Sequence, residues 1–501
     1  MKTKIQIPQF RVYNTRTRQK EEFKPLNPPY VGIYVCGPTV YSDPHLGHAR
    51  AAVVFDVLRR YLTSMGYKVR FVSNITDVGH LEGDADDGED KIQKRARIEQ
   101  LEPMEIAQYY TRVYNMAMAK LNVIPPNIQP HATCHIPEQI ELVQRILERG
   151  FAYVVNGSVY FDVPKYADKY QYGVLSGRKL EELESVTREL RGVEEKRHPA
   201  DFALWKKAPS THIMKWKSPW SIGFPGWHLE CTVMNAKYLG IPFDIHGGGM
   251  DLIFPHHECE IMQAVAAWDT EPVRYWMHNN LITIDGQKMS KSLGNFITID
   301  QVFTGEHERL SKAYHPMAVR LLILQTHYRS VIDFSDSGLA SAEKAYKRLV
   351  QSLKKLEALE FQGSNIDTKL EEKIVKHIND FYKFMSDDLN TARALAQLFD
   401  LSSVIYQLSS KGNTVLEVSA EVGNQLKIEF AKALKEILGI LPEEEHVDSS
   451  RLNAVLQILI NVRQEARKQK NFQLADKIRD QLKEIGIILR DTPSGTEWEL
   501  Q

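Results

Sequence analysis

The sequence predicts an α/β fold in which a parallel sheet is split by an inserted subdomain and followed by α-helical domains. Three observations carry this. Residues 30–36 form a β-branched apolar run that stops at Gly37-Pro38, residues 51–62 place apolar side chains at 53, 54, 57, 58, 61 and 62, and residues 68–75 form a second apolar run. Strand, helix and strand within roughly 45 residues make a βαβ unit, which calls for parallel pairing. Residues 151–163 then alternate around Asn156-Gly157, a hairpin signal that interrupts the α/β pattern. Beyond about residue 300 the strand pattern nearly vanishes and apolar residues recur at helical spacing.

Taken in order, residues 82–90 (EGDADDGED) read as a charged, solvated loop, and residues 101–121 and 137–149 as helices. The inserted subdomain is expected over 136–225, with Trp205, Trp216, Trp220 and Trp227 read mainly as core. Residues 243–246 form a short strand running into Gly247-Gly248-Gly249, Pro255 opens a helix, and residues 272–284 hold a strand ending at Asp285-Gly286. Helices follow over 321–325, 340–359, 370–408 and 421–438, then a Glu-rich linker at 442–450 and a helical tail at 451–486 with a strand-like end containing Trp498. The expected domains are a catalytic one (1–135 and 226–300), the insert (136–225), connecting helices (301–360), a helical bundle (361–440) and a small terminal domain (441–501).

Composition excludes several classes. A hydrophobic fraction of 43% and a charged fraction of 25% suit a globular protein, and no run approaches the roughly 18 apolar residues that span a bilayer. Residues 1–20 are polar and basic, unlike a signal peptide, so a cytoplasmic protein is expected. With 63 basic and 64 acidic side chains, any RNA partner must be met by a local basic surface. Four cysteines (36, 134, 231 and 259) are too few for a disulfide framework. No Gly-x4-Gly-Lys sequence is present, which argues against a P-loop ATPase.

Two short motifs carry chemistry. His45-Leu46-Gly47-His48 lies between the first strand and first helix, where ligands bind in an open parallel sheet. Its histidines are suited to donate to phosphate oxygens beside a helix N-terminus, with Gly47 letting a base approach the backbone. Lys288-Met289-Ser290-Lys291-Ser292 follows the Asp-Gly turn and offers Lys288 and Lys291 as point charges for a triphosphate. The two motifs resemble the HIGH and KMSKS signatures of class I aminoacyl-tRNA synthetases, with Leu46 replacing isoleucine in a volume-conserving way. The resemblance implies a Rossmann-type ATP site, with His45, His48, Lys288 and Lys291 as catalytic groups and Mg²⁺ on the phosphates.

A third constellation is diffuse. His256 and Glu260 are four residues apart at the start of a predicted helix, and with Cys36 and Cys231 they suit Zn²⁺. The donors come from three segments, so spacing alone leaves structural histidine and buried thiols open. Cys36-Gly37-Pro38-Thr39-Val40, Pro225-Gly226-Trp227-His228-Leu229-Glu230-Cys231 and Phe254-Pro255-His256-His257-Glu258 resemble cysteinyl-tRNA synthetase. That resemblance implies one zinc held by Cys36, Cys231, His256 and Glu260, with the substrate thiolate as a further ligand. It implies Gly37, Thr76, Trp227 and Asp251 around the substrate, and Thr39, His45, Gly47, His48, His246 and Lys291 around ATP. Cys259 stands where the family has asparagine and rivals Glu260 as a ligand; Phe224 stands where it has arginine.

The tail resembles the family's helical-bundle and anticodon-contacting domains. Arg463, Arg467, Lys468 and Lys470 are candidate tRNA contacts, and Trp498 either stacks on a base or closes the small domain's core. The implied partners are ATP, L-cysteine and the cysteine tRNA, and the implied state is a monomer. An amino-sugar acceptor, a non-catalytic RNA-binding paralogue and a methionine enzyme are the competing readings.

Overall fold

Four runs rich in β-branched and aromatic residues pair in parallel to form the central sheet: β1 (Tyr30–Val35), β2 (Lys68–Ser73), β3 (Phe243–Gly249) and β4 (Val273–Asn279), in the spatial order β4-β3-β1-β2. This is a computed structural model that describes residues 5–82, 88–181, 195–289, 295–440, 449–492 and 495–500. Helix α1 (Leu46–Ser64) joins β1 to β2, while α2 (Leu229–Leu239) and α3 (Glu258–Trp268) flank β3 in sequence. Alternation on the strands builds two cores. Ile33, Val35, Tyr275 and Met277 pack with Val53, Phe55 and Leu58 of α1. Tyr34 and Trp276 pack with Leu229, Val233 and Met234 of α2 and Ile261 and Met262 of α3. A parallel sheet covered on both faces carries apolar residues on both, as these strands do in their central positions.

The connection from β1 runs to β2 on one side, while β3 lies on the other. The crevice beyond the C-terminal ends of β1 and β3 is therefore the switch point at which open α/β sheets bind ligands. The two strands meet there through Cys36 N–H donating to Gly247 O at 3.2 Å.

Between β2 and α2 the chain forms a five-stranded antiparallel sheet in the order 152–155, 158–161, 202–207, 222–225, 216–217. Its first hairpin turns at Asn156 (φ 53°) and Gly157 (φ 88°), the left-handed pair that Asn-Gly favours. Helix Ile136–Glu148 buries Leu142, Val143 and Ile146 in the core shared with α2 and α3. Trp205 is fully buried and Trp216 and Trp220 pack against that core, so these three are structural. Phe224 is buried too, stacked on His212 at 4.2 Å, and lies in the core rather than at a ligand.

The 272–284 run splits. After β4, Ile282–Ile284 joins a separate small sheet, parallel to Ile332–Phe334 and antiparallel to Gln287–Lys288 across the Asp285-Gly286 turn. Helix Lys91–Glu99, not legible as an apolar stripe, exists because the Asp90 side chain caps the N–H groups of Ile92 and Gln93. The expected helix over 370–408 is two helices, Thr368–Ser386 and Thr391–Ser409. Asp388 and Leu389 between them adopt φ of 61° and 49°. The buried Asp388 carboxylate accepts from Tyr13 N–H, Tyr328 OH and Arg329 Nε at 2.8, 2.6 and 2.8 Å, and Asn390 caps the next helix. Tertiary bonds thus break a helix that spacing alone would continue.

Residues 442–501 form a second compact unit. Helices Ser449–Lys468 and Phe472–Glu484 are followed by the hairpin Ile487–Thr492 with Gly495–Leu500. Trp498 packs on Leu456, Leu482 and Ile487, which settles it as core. Among the described residues no helix is long and apolar enough to cross a membrane.

Within the first unit, Arg320 on helix Pro316–Leu324 is fully buried, pairs with Asp56 of α1, and donates to Leu438 O (2.8 Å) and Leu121 O (2.9 Å). Asp56 also holds Arg60 Nε at 2.7 Å. Removing one partner of a buried pair strands the other charge. Arg320→Met is expected to lower the unfolding free energy by roughly 3 kcal/mol; an unchanged urea midpoint would contradict this.

Candidate active site

A cavity of about 390 Å³ opens at the switch point. Cys36, Gly37, Thr39, His45, Gly47, His48, Thr76, Trp227, Cys231, Asp251 and His256 all line it. Glu260 lies fully buried behind His256.

One end of the cavity gathers soft donors. Cys36 follows β1, Cys231 lies in the first turn of α2, His256 lies in the π-helical turn Ile253–His257 that leads into α3, and Glu260 one turn further on lies in the first turn of α3. Cys36 Sγ lies 3.7 Å from Cys231 Sγ and 3.9 Å from Glu260 Oε1, and His256 Nε2 lies 3.4 Å from both Cys231 Sγ and Glu260 Oε1. All four donor atoms fall within 4.8 Å of one another. Tetrahedral zinc sets edges of about 3.8 Å between two sulfurs and about 3.4 Å between two N or O ligands, which the Cys36–Cys231 and His256–Glu260 separations match, so this donor set suits that ion. His256 Nδ1 and His228 Nδ1 are 3.0 Å apart. When His256 donates in that bond, its Nε2 lone pair faces the thiols.

A second group, Cys36, His246, His257 and Glu260, also clusters. His246 and His257 are fully buried against Trp276 and do not line the cavity. They lie against the first group: His246 Nε2 is bonded to Glu260 Oε2 at 2.9 Å, and His257, bonded at Nδ1 to His278 Nε2 at 2.8 Å, places its Nε2 3.3 Å from Cys36 Sγ. His246, expected beside the nucleotide, thus faces Glu260 instead, on the side of the sheet covered by α3. Cys259 is buried on α3 and belongs to neither group. Burial pushes the Cys36 thiol up to about 11 and holds the Cys231 thiol well above its ordinary value. Only a cation in the pocket would reverse that preference for the neutral thiol.

A polar wall adjoins the thiols. Gly37 N–H donates to Asn74 Oδ1 at 2.9 Å, and Asn74 Nδ2 reaches Thr76 Oγ1 at 3.2 Å. Thr76 Oγ1 in turn bonds Glu230, whose carboxyl is held well above the usual carboxylate range by burial. Position 37 tolerates no side chain, since a Cβ would lie 1.5 Å from Asn74 O. Trp227 stacks on His80 at 3.9 Å, and His80 meets Thr39 Oγ1 at 2.6 Å and Lys91 Nζ at 2.7 Å. Asn74, His80 and Lys91 escaped the sequence analysis, and His228 and Glu230 entered it only within a motif and without a role, because nothing local marks residues whose role is set by contacts across the fold.

The other end of the cavity is a hydrogen-bond donor site. His45 caps α1: its Nδ1 accepts Gly47 N–H at 3.0 Å, while His45 N–H donates to His48 Nδ1 at 3.1 Å. With both Nδ1 atoms accepting, each neutral ring carries its proton on Nε2. A Cβ at Gly47 would lie 2.8 Å from the His45 ring, so this glycine first of all makes room for that imidazole. Lys288 pairs through its backbone with Thr283, and Met289 reaches the cavity. Ser290, Lys291 and Ser292 lie outside the described residues. In the second unit, Arg467, Lys468 and Lys470 are exposed, whereas Arg463 is 6% exposed and turned into the helix packing, so it offers no open phosphate contact.

Burial lowers the His48 imidazole to about 4. Between roughly pH 6.5 and pH 4 the unfolded chain binds a proton that the fold refuses, so this ring reduces stability as pH falls through that window. Imidazole nitrogen shifts should report a His48 midpoint near 4; a midpoint near 6.5 would contradict the neutral assignment.

Comparison with known proteins converges on one family. Residues 22–344 match a model of the tRNA synthetases class I (C) catalytic domain, residues 380–442 a DALR domain, and residues 450–498 a cysteinyl-tRNA ligase anticodon binding domain. The chain is 54% identical over 496 residues to the cysteine–tRNA ligase of Bacteroides fragilis, covering 98% of this chain and 99% of that protein. It is 48% identical over 499 residues to that of Deinococcus radiodurans, covering 98% and 97%. Among solved structures, Mycobacterium tuberculosis methionyl-tRNA synthetase with methionyl-adenylate superposes with a TM-score of 0.59 at 14% identity, over 82% of this chain and 91% of that one. The ternary complex of an Agrobacterium radiobacter LeuRS with tRNA superposes with a TM-score of 0.58 at 12% identity, over 83% and 85%. At such identities these two show the fold alone.

Proposed function

The chain belongs to the cysteine–tRNA ligase family of class I synthetases, and from that premise we propose that it activates L-cysteine with ATP and transfers it to the cysteine tRNA. In the first step a cysteine carboxylate oxygen attacks the α-phosphorus of ATP, and the bond to pyrophosphate breaks. In the second, the 3′-terminal ribose hydroxyl attacks the cysteinyl carbonyl, and AMP leaves. Neither step needs a side-chain nucleophile; the protein positions the reactants and stabilises charge.

The observation that carries this reading is the division of one cavity into a thiol-selecting end and a phosphate-binding end. Cys36, Cys231, His256 and Glu260 would hold zinc, which stabilises a thiolate and so favours cysteine over serine or alanine. A hydroxyl is a far weaker zinc ligand than a thiolate, so such an enzyme has no need of a separate editing site. Gly37, Thr76, Trp227 and Asp251 wall in the amino acid, with Thr39 nearer the nucleotide. His45 and His48 direct their Nε2–H groups toward the phosphates. Because both rings are neutral donors, they bind the transferring phosphate without competing with it for a proton. Lys288 and Lys291 balance the charge of the departing pyrophosphate, and Mg²⁺ would supply further positive charge there when bound. Residues 450–498 contact the anticodon, with Arg467, Lys468 and Lys470 as phosphate partners. We place the enzyme in the cytoplasm, as a monomer.

ATP–pyrophosphate exchange should proceed with cysteine and not with serine or methionine, in protein holding about one zinc per chain. Exchange with another amino acid would sink the substrate assignment. Lys291→Ala should slow exchange at least about tenfold with zinc content unchanged; a wild-type rate would remove that lysine from the reaction.

A further inference from the structure

The turn carrying His45 and His48 is tied to the segment carrying Lys288 at two places. At one, Ile299 N–H donates to Pro44 O at 2.9 Å, His45 forms a backbone bridge with Thr298, and the Phe296 ring meets the His45 ring edge-on at 5.3 Å. At the other stands Arg50, two residues beyond His48 on α1 and only 1% exposed. Its guanidinium is caged by backbone carbonyls. Nη1 donates to Leu281 O, and Nη2 to Ser330 O, to Tyr328 O at 3.0 Å and more weakly to His327 O at 3.4 Å.

Those carbonyls stand at one structural junction. Leu281 O also accepts Ile332 N–H at 3.2 Å. Leu281 and Ser330 are thus the roots of the parallel strands Ile282–Ile284 and Ile332–Phe334, and the first of these turns at Asp285-Gly286 into Gln287–Lys288. A side chain meant only to fill this space would be apolar, because burying a guanidinium is expensive. Only a planar fork of several donors bonds carbonyls from two strands at once; an ammonium is a single point of attachment.

We propose that Arg50 is a positioning residue for adenylate formation, fixing the separation and angle between the imidazole donors of His45 and His48 and the lysine-bearing strand through its carbonyl cage. It touches no substrate. It acts through the root of the 282–288 hairpin, while the Pro44–Ile299 bond fixes the far end of the same span on the same turn. The inference rests on the reading of the phosphate end given above. Two donor groups that must act together on one triphosphate are useful only when their spacing is held; small displacements of reacting groups cost large factors in rate.

The test compares full-length, zinc-loaded wild type with Arg50→Lys and Arg50→Gln in cysteine-dependent ATP–pyrophosphate exchange, varying ATP and cysteine separately. The expected result is a kcat lower by about tenfold in Arg50→Lys and about a hundredfold in Arg50→Gln, with zinc content and the KM for cysteine within about twofold of wild type. Hydrogen exchange over residues 282–298 supplies a second readout: ATP-dependent protection is expected in wild type, reduced in the lysine variant and lost in the glutamine variant. If Arg50→Gln fails to fold, the lysine variant decides. A wild-type kcat in Arg50→Lys, or a loss that tracks only zinc content or cysteine KM while the ATP-dependent protection persists, overturns the proposal. No exchange in wild type would instead remove the reading of the site, and this inference with it; variants equal to an active wild type remove this inference alone.

Discussion

Two thiols, an imidazole and a carboxylate, all buried but the half-buried Cys36, converge at the ends of β1 and β3, and much of the catalytic unit is arranged around making that tolerable. Gathering such groups is unfavourable unless each is bonded or shares a cation. The surrounding residues meet part of the requirement. His228 bonds His256, and His246 and Asn235 bond Glu260 at 2.9 and 3.2 Å. Asn74 braces both Gly37 and the Thr76–Glu230 pair. These partners come from β3, from α2 and its N-cap, and from the segments after β1 and β2, so the pocket exists only once those strands lie side by side. The remaining thiol-rich face, with its tetrahedral spacing, is where a soft dication fits.

The opposite end of the cavity obeys a different rule. His45 and His48 are locked by α1's own N-terminal N–H groups, so the cap that starts the helix also sets the direction of both Nε2 donors. Burial keeps His48 uncharged. A parallel sheet with covered faces provides the fixed distance between the two ends, and the carbonyl-bound Arg50 attaches the small 282–288 hairpin to that frame. The two ends of the cavity are thus separate arrangements on one scaffold, connected by backbone geometry.

Much of this was legible in the sequence because it is local. The β1–α1–β2 unit, the Asn156-Gly157 hairpin and the Asp285-Gly286 turn each declare themselves through periodicity or turn chemistry within a dozen residues. The metal donors are different: only His256 and Glu260 share a segment, and the convergence of Cys36 and Cys231 on them depends on which strand lies beside which. Similarity of motifs supplied what spacing could not. The failures have the same origin. His246 was expected at the nucleotide from the family resemblance, but its ring stacks on Trp276 and bonds Glu260. Arg463 belongs to a basic cluster by composition, yet helix packing buries it. The break at Asp388 is set by Tyr13, Tyr328 and Arg329, which lie far away in sequence. Arg50 and His80 carry no local mark at all.

The central claim is that one ion held by Cys36, Cys231, His256 and Glu260 selects the substrate thiolate, and X-ray absorption at the zinc edge tests it most directly. The account predicts two sulfur neighbours at about 2.3 Å in the zinc-loaded protein, rising to three when cysteine is added and staying at two with serine. A sulfur count that does not change with cysteine, or zinc bound without sulfur, would contradict it.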